Sequence, residues 1–218
     1  MKKLSVFCVL SALIIILGSC GNKSEKVPFD NGDSAAVANA DPTIYGICGE
    51  ATSMNTLQLI TDMGDTLNID MSVAQENGHV YGGVQPGDRM AVLANNDRSE
   101  AELIINQATL LGNWVMPNPL DGSDEVGISI KEGGIAESID QGSIAYKTWR
   151  LNRGKLEIVQ IREGGSEEEE TYYYDIVKLG ADSLVYKDGD ELYEYSRQKP
   201  KEDQHKIELE DADKEFFM

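Results

Sequence analysis

Turn signals recur at short intervals between residues 43 and 197, and their spacing constrains the fold more than any other feature of the chain. They are glycine-containing turns: Met63-Gly64-Asp65, Asn77-Gly78, Pro86-Gly87-Asp88, Gly133-Gly134, Asn152-Arg153-Gly154 and Lys187-Asp188-Gly189-Asp190. Strands of roughly five to nine residues fit between such turns. Several of these segments alternate apolar and polar residues with period two, and no long segment has a 3.6-residue period. The sequence therefore predicts an all-β protein with short antiparallel strands.

The first series of predicted strands, over residues 43–110, has the size of a small barrel. Its five segments are 43–50, 55–61, 65–73, 88–94 and 102–107, with residues 77–86 as a connection. Five strands in this length are typical of an OB-like barrel, and other small antiparallel barrels give the same pattern.

Nucleic acid is excluded as a partner of this region. Tyr45 and Tyr81 are its only aromatic residues, and the whole chain has a net charge of −19. Binding of single-stranded nucleic acid requires stacked aromatic rings and a basic groove, and the sequence offers neither.

The second series of predicted strands, over residues 111–197, has eight segments. They are 113–117, 125–130, 135–140, 143–151, 155–162, 170–178, 183–187 and 190–197. Eight antiparallel strands that are joined by hairpins form an up-and-down barrel.

The residues of this second series resemble a known family. Gly112-Asn113-Trp114 resembles the Gly-x-Trp sequence that opens lipocalins. The strand from Tyr146 to Leu151 and the closing Asp188-Gly189 hairpin resemble those of the lipocalin-like lipoproteins of Bacteroidetes. The resemblance implies a lipocalin-like barrel, although the segment is shorter than a full-length lipocalin and lacks its C-terminal helix. The two-barrel arrangement is distantly similar to the envelope lipoprotein NlpE, in which the order is reversed, and implies envelope sensing.

Closure of such a barrel predicts one specific contact. First and last strands of an up-and-down barrel lie side by side, so Gly112 and Trp114 are expected to meet Arg197. The resemblance implies the same arrangement, because lipocalins lay an arginine across the tryptophan.

The barrel interior is expected to be filled by side chains, because eight short strands enclose little space. Candidates to line it are Trp149, Leu151, Leu156, Ile158, Tyr172, Tyr174, Ile176, Leu184 and Tyr186. Core packing is the favoured role for these side chains and ligand contact the alternative. The residues that would line a ligand site are Tyr146, Trp149, Tyr172, Tyr174 and Tyr186.

Tyr146 and Trp149 pose a separate question, since residues three apart cannot both face inward on a regular strand. Either a bulge near Lys147 changes the direction of one of the two side chains, or one ring lies outside the barrel.

The N-terminus has the pattern of a bacterial lipoprotein signal peptide. Lys2 and Lys3 precede an apolar run, Leu4 to Leu17, which is too short to span a bilayer. Leu17-Gly18-Ser19-Cys20 resembles the lipoprotein box, in which the cysteine receives a diacylglyceryl group after cleavage. Residues 1–19 are therefore predicted to be a signal peptide. Cys20 is the predicted lipid attachment site and the predicted contact with the membrane.

Two further segments are predicted to lack regular structure. Residues 20–42 are small and polar and are expected to form a flexible tether behind the lipid. Residues 198–218 are expected to form an acidic, mostly disordered tail, with a short helix over 206–217 as the alternative. We expect a location in the bacterial cell envelope, at the outer membrane, facing either the periplasm or the surface.

Cysteine and histidine usage gives no indication of an enzyme. With Cys20 acylated, Cys48 is the remaining thiol of the mature chain, so no internal disulfide is expected. His79 and His205 lie in separate segments without a ligand set, so neither a zinc site nor a catalytic centre is predicted. The acidic run 167–170 could attract Ca²⁺, but it is interpreted as a solvated hairpin tip. No cofactor is predicted.

Two functions from different classes are compatible with these features. The preferred one is a non-catalytic, lipid-anchored envelope lipoprotein whose barrel binds a small apolar or amphipathic ligand or an envelope protein. The alternative is a glycan-binding accessory module of a surface polysaccharide system. Exposed coplanar aromatic rings would distinguish the second from the first, since sugar binding needs them and a filled barrel does not.

The lipoprotein box leads to a direct test. Cells grown with radiolabelled palmitate are expected to label the wild-type protein. The Cys20→Ala variant is expected to lose the label and to accumulate as an unprocessed precursor, because the acceptor thiol is gone. Persistent labelling of Cys20→Ala would show that the acyl chains are attached elsewhere.

Overall fold

The computed structural model of the chain describes residues 41–119, 121–122, 124–164 and 168–199. These residues form an all-β structure with two sheets and a few short helices. In this part of the chain, no helix is long and apolar enough to cross a membrane. The predicted signal peptide, Cys20, the rest of the tether up to residue 40, and the tail from residue 200 onward lie outside the described residues.

The first sheet contains six strands. They are β1 (Ile44–Cys48), β2 (Thr56–Thr61), β3 (Thr66–Asp70), β4 (Val80–Tyr81), β5 (Arg89–Ala94) and β6 (Ala101–Asn106), in the order β3-β2-β1-β5-β6-β4. Period-two alternation places Leu57 and Leu59 of β2 in the core. A short helix, α1 (Ser72–Glu76), packs against β6 and buries Ala74.

A single bridge brings the two sides of this sheet together. β1 pairs with both β2 and β5, and Asp70 at the end of β3 forms an isolated parallel bridge with Glu100 beside β6. The five longer strands thus form a partly closed ring. Its assignment as an OB-like barrel stays a prediction.

Two segments in the middle of the first series differ from the prediction. The third strand was expected to extend to residue 73, but it ends at Asp70, whose Oδ1 accepts a hydrogen bond from the Ser72 backbone N–H at 2.7 Å. This local turn directs the chain into α1. In addition, the predicted connection over 77–86 contains β4, which pairs in parallel with β6.

The segment between the two sheets begins with a helix cap. Asn106 ends β6, and its side chain accepts a hydrogen bond from Thr109 N–H at 3.0 Å to cap α2 (Gln107–Leu110). The predicted strand 102–107 therefore extends one residue too far. Leu111 then connects α2 directly to the second sheet.

The second sheet is a closed, eight-stranded antiparallel barrel, which confirms the predicted up-and-down architecture. Its strands are β7 (Gly112–Pro117), β8 (Glu125–Lys131), β9 (Ile135–Ile139), β10 (Ile144–Asn152), β11 (Lys155–Arg162), β12 (Glu170–Leu179), β13 (Ser183–Asp188) and β14 (Glu191–Arg197). A 3₁₀ turn, Glu132–Gly134, connects β8 to β9.

A bulge in β10 allows Tyr146 and Trp149 to face inward together. The register between β10 and β11 shifts between Tyr146 and Thr148, and both aromatic side chains are only 7% exposed. Lys147, at the shift, is exposed. The structure therefore confirms the first of the two alternatives, a bulge near Lys147.

Trp114 and Arg197 meet where the last strand closes onto the first. β14 pairs with β7 so that the two residues lie opposite each other, and the guanidinium carbon is 4.1 Å from the indole ring centroid. The buried indole N–H donates to the Leu110 carbonyl at 2.8 Å. Arg197 donates to the carbonyls of Leu111 at 2.9 Å and Thr109 at 2.8 Å, so the barrel end is tied to α2.

Gly112 is required by the same contact. Its φ is 133°, and an added Cβ would lie 2.2 Å from Arg197 Nη1. A larger residue at position 112 would therefore displace the guanidinium from the tryptophan. The chain continues to follow the barrel beyond Arg197, because Gln198, which was assigned to the tail, exchanges two hydrogen bonds with Asn113.

The first sheet covers this end of the barrel, which we call the covered end. Ala91 and Ile105 of the first sheet are buried in the same hydrophobic core as the barrel interior. Tyr45 donates its hydroxyl hydrogen to the Leu151 carbonyl at 2.7 Å, and Gly82 N–H donates to the Leu179 carbonyl at 3.0 Å. A second core lies on the opposite face of the sheet, beneath α1.

The turn between β10 and β11 is built for this contact. Gly154 has a φ of 74°, and a Cβ there would lie 2.8 Å from Leu93 Cδ1 of the first sheet. Its neighbour Arg153 donates its backbone N–H to Asp41 at 2.9 Å. Accordingly, the described residues belong to one compact unit that begins at Asp41.

The closing contact predicts energetic coupling between Trp114 and Arg197. In a double-mutant cycle with Trp114→Phe and Arg197→Met, we expect a coupling free energy of about 0.5–2 kcal/mol, because the cation lies over the indole face. Urea unfolding measures it. A coupling energy indistinguishable from zero would contradict the proposed role of this pair.

Gly112→Ala tests the same contact from the backbone side, with Gly83→Ala as a matched control. Both glycines have positive φ, but an added Cβ at Gly83 meets nothing within 4 Å. Gly112→Ala is therefore expected to lower the free energy of unfolding more than Gly83→Ala.

Candidate functional site

The barrel interior has two different ends. The covered end carries the Trp114–Arg197 contact and the first sheet. At the other end lie the described residues of the connections between β7 and β8, β9 and β10, β11 and β12, and β13 and β14. We call it the open end, because side chains that point into the barrel there, Tyr172 and Tyr193, are partly exposed.

Most of the interior is filled by packed side chains. The core includes Trp114, Ile128, Ile130, Leu151, Leu156, Ile158, Ile176 and Leu184. These residues leave the middle of the barrel as a packed core rather than a deep cup.

Six tyrosines pack together inside the barrel, and we call them the tyrosine cluster: Tyr146, Tyr172, Tyr174, Tyr186, Tyr193 and Tyr195. Period-two spacing places two of them on β12 and two on β14, and Tyr186 on β13 lies between these strands. Ring centroids are 4.7 Å apart for Tyr174 and Tyr186, and 5.4 Å apart for Tyr186 and Tyr193. Tyr186 is only 1% exposed, so the cluster extends from the middle of the barrel to its open end.

The buried hydroxyls of the cluster form hydrogen bonds with one another. Tyr186 donates to the Tyr195 hydroxyl at 3.0 Å. Burial raises the pKa of Tyr186 well above its ordinary value, and the neighbouring Tyr195 and Tyr146 add to this effect. The pKa of Tyr146 is likewise raised by burial and by Tyr195. These hydroxyls therefore remain neutral and hydrogen-bonded over the physiological pH range.

A single arginine lies inside the barrel toward its open end. Arg162, the last residue of β11, places its guanidinium carbon 4.4 Å from the Tyr172 ring centroid. The Gln160 side-chain amide is oriented with its oxygen toward Arg162. In this orientation the oxygen accepts hydrogen bonds from Arg162 Nε at 2.8 Å and Nη2 at 3.2 Å. Burial lowers the pKa of Arg162, but the nearby Tyr172 and Tyr174 oxygens outweigh it and leave the pKa raised.

Two carboxylates, those of Glu170 and Glu191, lie at the rim of the open end. Glu170 accepts the hydroxyl hydrogen of Tyr172 at 2.5 Å and raises its pKa. Burial raises the pKa of Tyr193, and Glu191 raises it further. The open end thus combines aromatic faces, an inner cation and an outer acidic rim.

The structure brings together four of the five predicted ligand-lining residues, Tyr146, Tyr172, Tyr174 and Tyr186. Trp149 is also buried, but its indole N–H donates to the Lys131 carbonyl at 2.7 Å, toward the covered end. The predicted list omits Tyr193, Tyr195, Gln160 and Arg162. Extending the period-two alternation along β11 and β14 identifies all four as inward-facing positions.

A shallow recess of about 440 Å³ lies on the outer wall of the barrel, beside the 3₁₀ turn. It is lined by Gly133, Gly134, Thr148, Trp149, Arg150, Glu157 and Val159. Arg150 Nε and Glu157 Oε1 form an ion pair there at 2.7 Å. Trp149 is the aromatic residue of this lining, and it is buried, so the recess offers no ring on which a sugar could stack.

The described residues contain no group of three metal-ligating side chains. Cys48 is buried, as the sequence indicated, with its sulfur 3.3 Å from the Thr52 hydroxyl.

Comparisons with known proteins show that the barrel region is similar to lipocalin-like proteins. Residues 106–198 match a family model described as lipocalin-like. A lipocalin-like protein from Bacteroides thetaiotaomicron VPI-5482, known from a crystal structure, is 32% identical. The match covers 41% of this chain and 97% of that protein, with a TM-score of 0.38. No curated protein matches the chain.

The raised pKa values of the tyrosine cluster predict a loss of stability in alkali. Well below pH 10 the tyrosines of the cluster are neutral in both the folded and the unfolded state. Above it, a tyrosine in the unfolded chain ionises while the buried one does not, so the free energy of unfolding falls. The denaturant midpoint between pH 9 and pH 11 is expected to fall less steeply for Tyr186→Phe than for the wild type.

Tyr173→Phe is the matched control, because Tyr173 is 50% exposed on the outer wall. It should retain the wild-type pH dependence. Equal slopes for Tyr186→Phe and Tyr173→Phe would show that the buried hydroxyls do not contribute.

Proposed function

The chain belongs to the lipocalin-like family through residues 106–198. From this we propose that its barrel binds a small amphipathic ligand at its open end, and from the Leu17-to-Cys20 box we propose that it is a lipid-anchored envelope protein. Lipocalin-like families are typically binding proteins rather than enzymes. Family membership supports a ligand-binding role, and the side chains at the open end support its location and the ligand's chemistry.

The side chains that line the barrel change from fully buried to partly exposed along the barrel axis, and this change is the main support for the proposal. Tyr186 is buried among packed neighbours, whereas Tyr172 and Tyr193 are partly exposed around Arg162. Partly exposed rings beside polar groups suit a ligand with one apolar and one polar part. Because the middle of the barrel is packed, we propose a ligand that is small or inserts only one of its ends.

Attachment to the membrane is proposed to come from acyl chains on Cys20. A chain with a net charge of −19 is repelled by an anionic membrane surface, so its charge cannot hold it there. Each buried methylene contributes about 0.8 kcal/mol, and more than one chain anchors a protein stably. The proposed location is the outer membrane of a bacterial envelope.

The glycan-binding alternative has less support. Tyr173 is the one exposed tyrosine or tryptophan among the residues that the structure describes. A sugar platform built from coplanar aromatic rings needs at least a second such ring. An envelope protein as the binding partner stays an alternative, which native mass spectrometry of the protein from its own envelope tests.

A neutral fluorescent probe tests binding at the open end. Residues 21–218, without the acyl chains, are titrated with N-phenyl-1-naphthylamine. We expect saturable binding that is about 2- to 12-fold weaker in Tyr172→Ala, because an aromatic contact contributes about 0.5–1.5 kcal/mol.

Tyr173→Ala serves as the matched control, since this neighbouring side chain points to the outer wall. Its affinity should equal that of the wild type. No saturable binding, or equal losses in the two variants, would refute the proposed site.

A further inference from the structure

Arg162 differs from four described cations that each have a carboxylate oxygen within 4.0 Å. Arg89, Lys131, Arg150 and Lys155 each form an ion pair with a carboxylate, and all four of these cations are partly or fully exposed. Arg162 points into the barrel, where the Gln160 amide and the Tyr172 ring contact its guanidinium and the Tyr174 and Tyr193 hydroxyls lie nearby.

The missing carboxylate is informative because acids are abundant in this chain. It has 38 acidic residues against 19 basic ones, yet no described carboxylate lies within 4.0 Å of an Arg162 nitrogen. Partial burial of an arginine without a counter-charge is unfavourable unless hydrogen bonds or a bound anion offset it.

The neighbours of Arg162 hold the guanidinium in a fixed orientation. Gln160, which is only 1% exposed, accepts from Nε and from one terminal nitrogen, and the Tyr172 ring lies against the guanidinium. A guanidinium held in this way is preorganised to bind a carboxylate through two parallel hydrogen bonds.

We infer that the open end selects amphipathic ligands with a single negative charge, with the acid group paired to Arg162 and the adjoining apolar part against Tyr172 and Tyr193. This inference rests on the proposed ligand-binding function and specifies the chemical class of the ligand. Short fatty acids and small aromatic acids belong to this class.

The acidic rim sets the limit of one charge. Glu170 accepts the hydroxyl hydrogen of Tyr172, and Asp188 and Glu191 lie on either side of the β13–β14 turn at this end, so a ligand with further negative charges meets repulsion on entry. The first acid group of a ligand gains direct contact with Arg162. The repulsion between the ligand and the exposed rim carboxylates is screened by salt over about 8–10 Å at physiological ionic strength, so it affects ligand groups close to the rim.

A set of ligands with equal chain length tests the inference. Decanoate, decanol and decyltrimethylammonium displace N-phenyl-1-naphthylamine from residues 21–218 at pH 8, where decanoate is ionised. For the wild type, decanoate is expected to bind at least about tenfold more tightly than decanol. In Arg162→Gln, decanoate should weaken about 10- to 100-fold while decanol changes less than twofold, because only the acid group loses its charged partner.

Two further variants separate charge from structure. Lys178→Gln removes one exposed positive charge from β12 and should leave all three affinities unchanged. Arg162→Lys keeps the charge without the planar fork, so decanoate binding should be restored only in part. Near-ultraviolet circular dichroism shows that each variant retains its aromatic packing.

The outcomes distinguish this inference from the proposed function. If decanoate and decanol bind equally, if Arg162→Gln weakens both alike, or if the ammonium ligand binds most tightly, the anion inference is wrong and ligand binding at the open end stands. If neither the probe nor any of the three ligands binds, the proposed function itself fails.

Discussion

Eight short strands enclose little space, and the position of any ligand site in this barrel follows from that constraint. In a barrel of this size the inward-facing side chains meet in the middle, so they fill most of the interior and leave little room for a cavity. Here Trp114 occupies the covered end and Tyr186 the middle, with both side chains almost fully buried. A ligand site therefore has to be made from the side chains at the open end, where packing is incomplete.

The covered end shows why the two sheets act as one structure. Arg197 lies on Trp114 and reaches the backbone of the segment that leaves the first sheet, so barrel closure and attachment of that sheet depend on one side chain. The first sheet also contributes Ala91 and Ile105 to the barrel core. Removing it would expose apolar surface and weaken the closed end from which the strands extend. This sheet therefore stabilises the barrel whatever else it binds.

The barrel could be predicted well from the sequence because its strands and turns are determined by residues that are close together in the chain. Turn residues and period-two alternation are sufficient to place eight strands. The spacing of Tyr146 and Trp149 left two alternatives, a bulge or an outward-facing ring, and the structure shows the bulge. The Arg197–Trp114 contact was accessible because closure fixes which strands are neighbours.

The errors arose where a side chain or a distant strand decides the local structure. The end of β3 depends on the Asp70 side chain, and β4 exists only because it pairs with β6 from a distant part of the sequence. Arg162 was missed for a related reason. A charged residue at the end of a strand usually lies in solvent, and only the three-dimensional barrel shows that it faces Tyr172 and Gln160.

The central claim, that ligands bind at the open end above a packed core, can be tested by NMR during a titration with decanoate. The chain has two tryptophans, and both indole N–H groups are hydrogen-bonded to backbone carbonyls toward the covered end. We predict that the Arg162 Nε–H signal shifts with saturation while both indole signals stay in place. Saturable shifts of the Trp114 indole without a shift at Arg162 would contradict the account, because they would place the ligand inside the core.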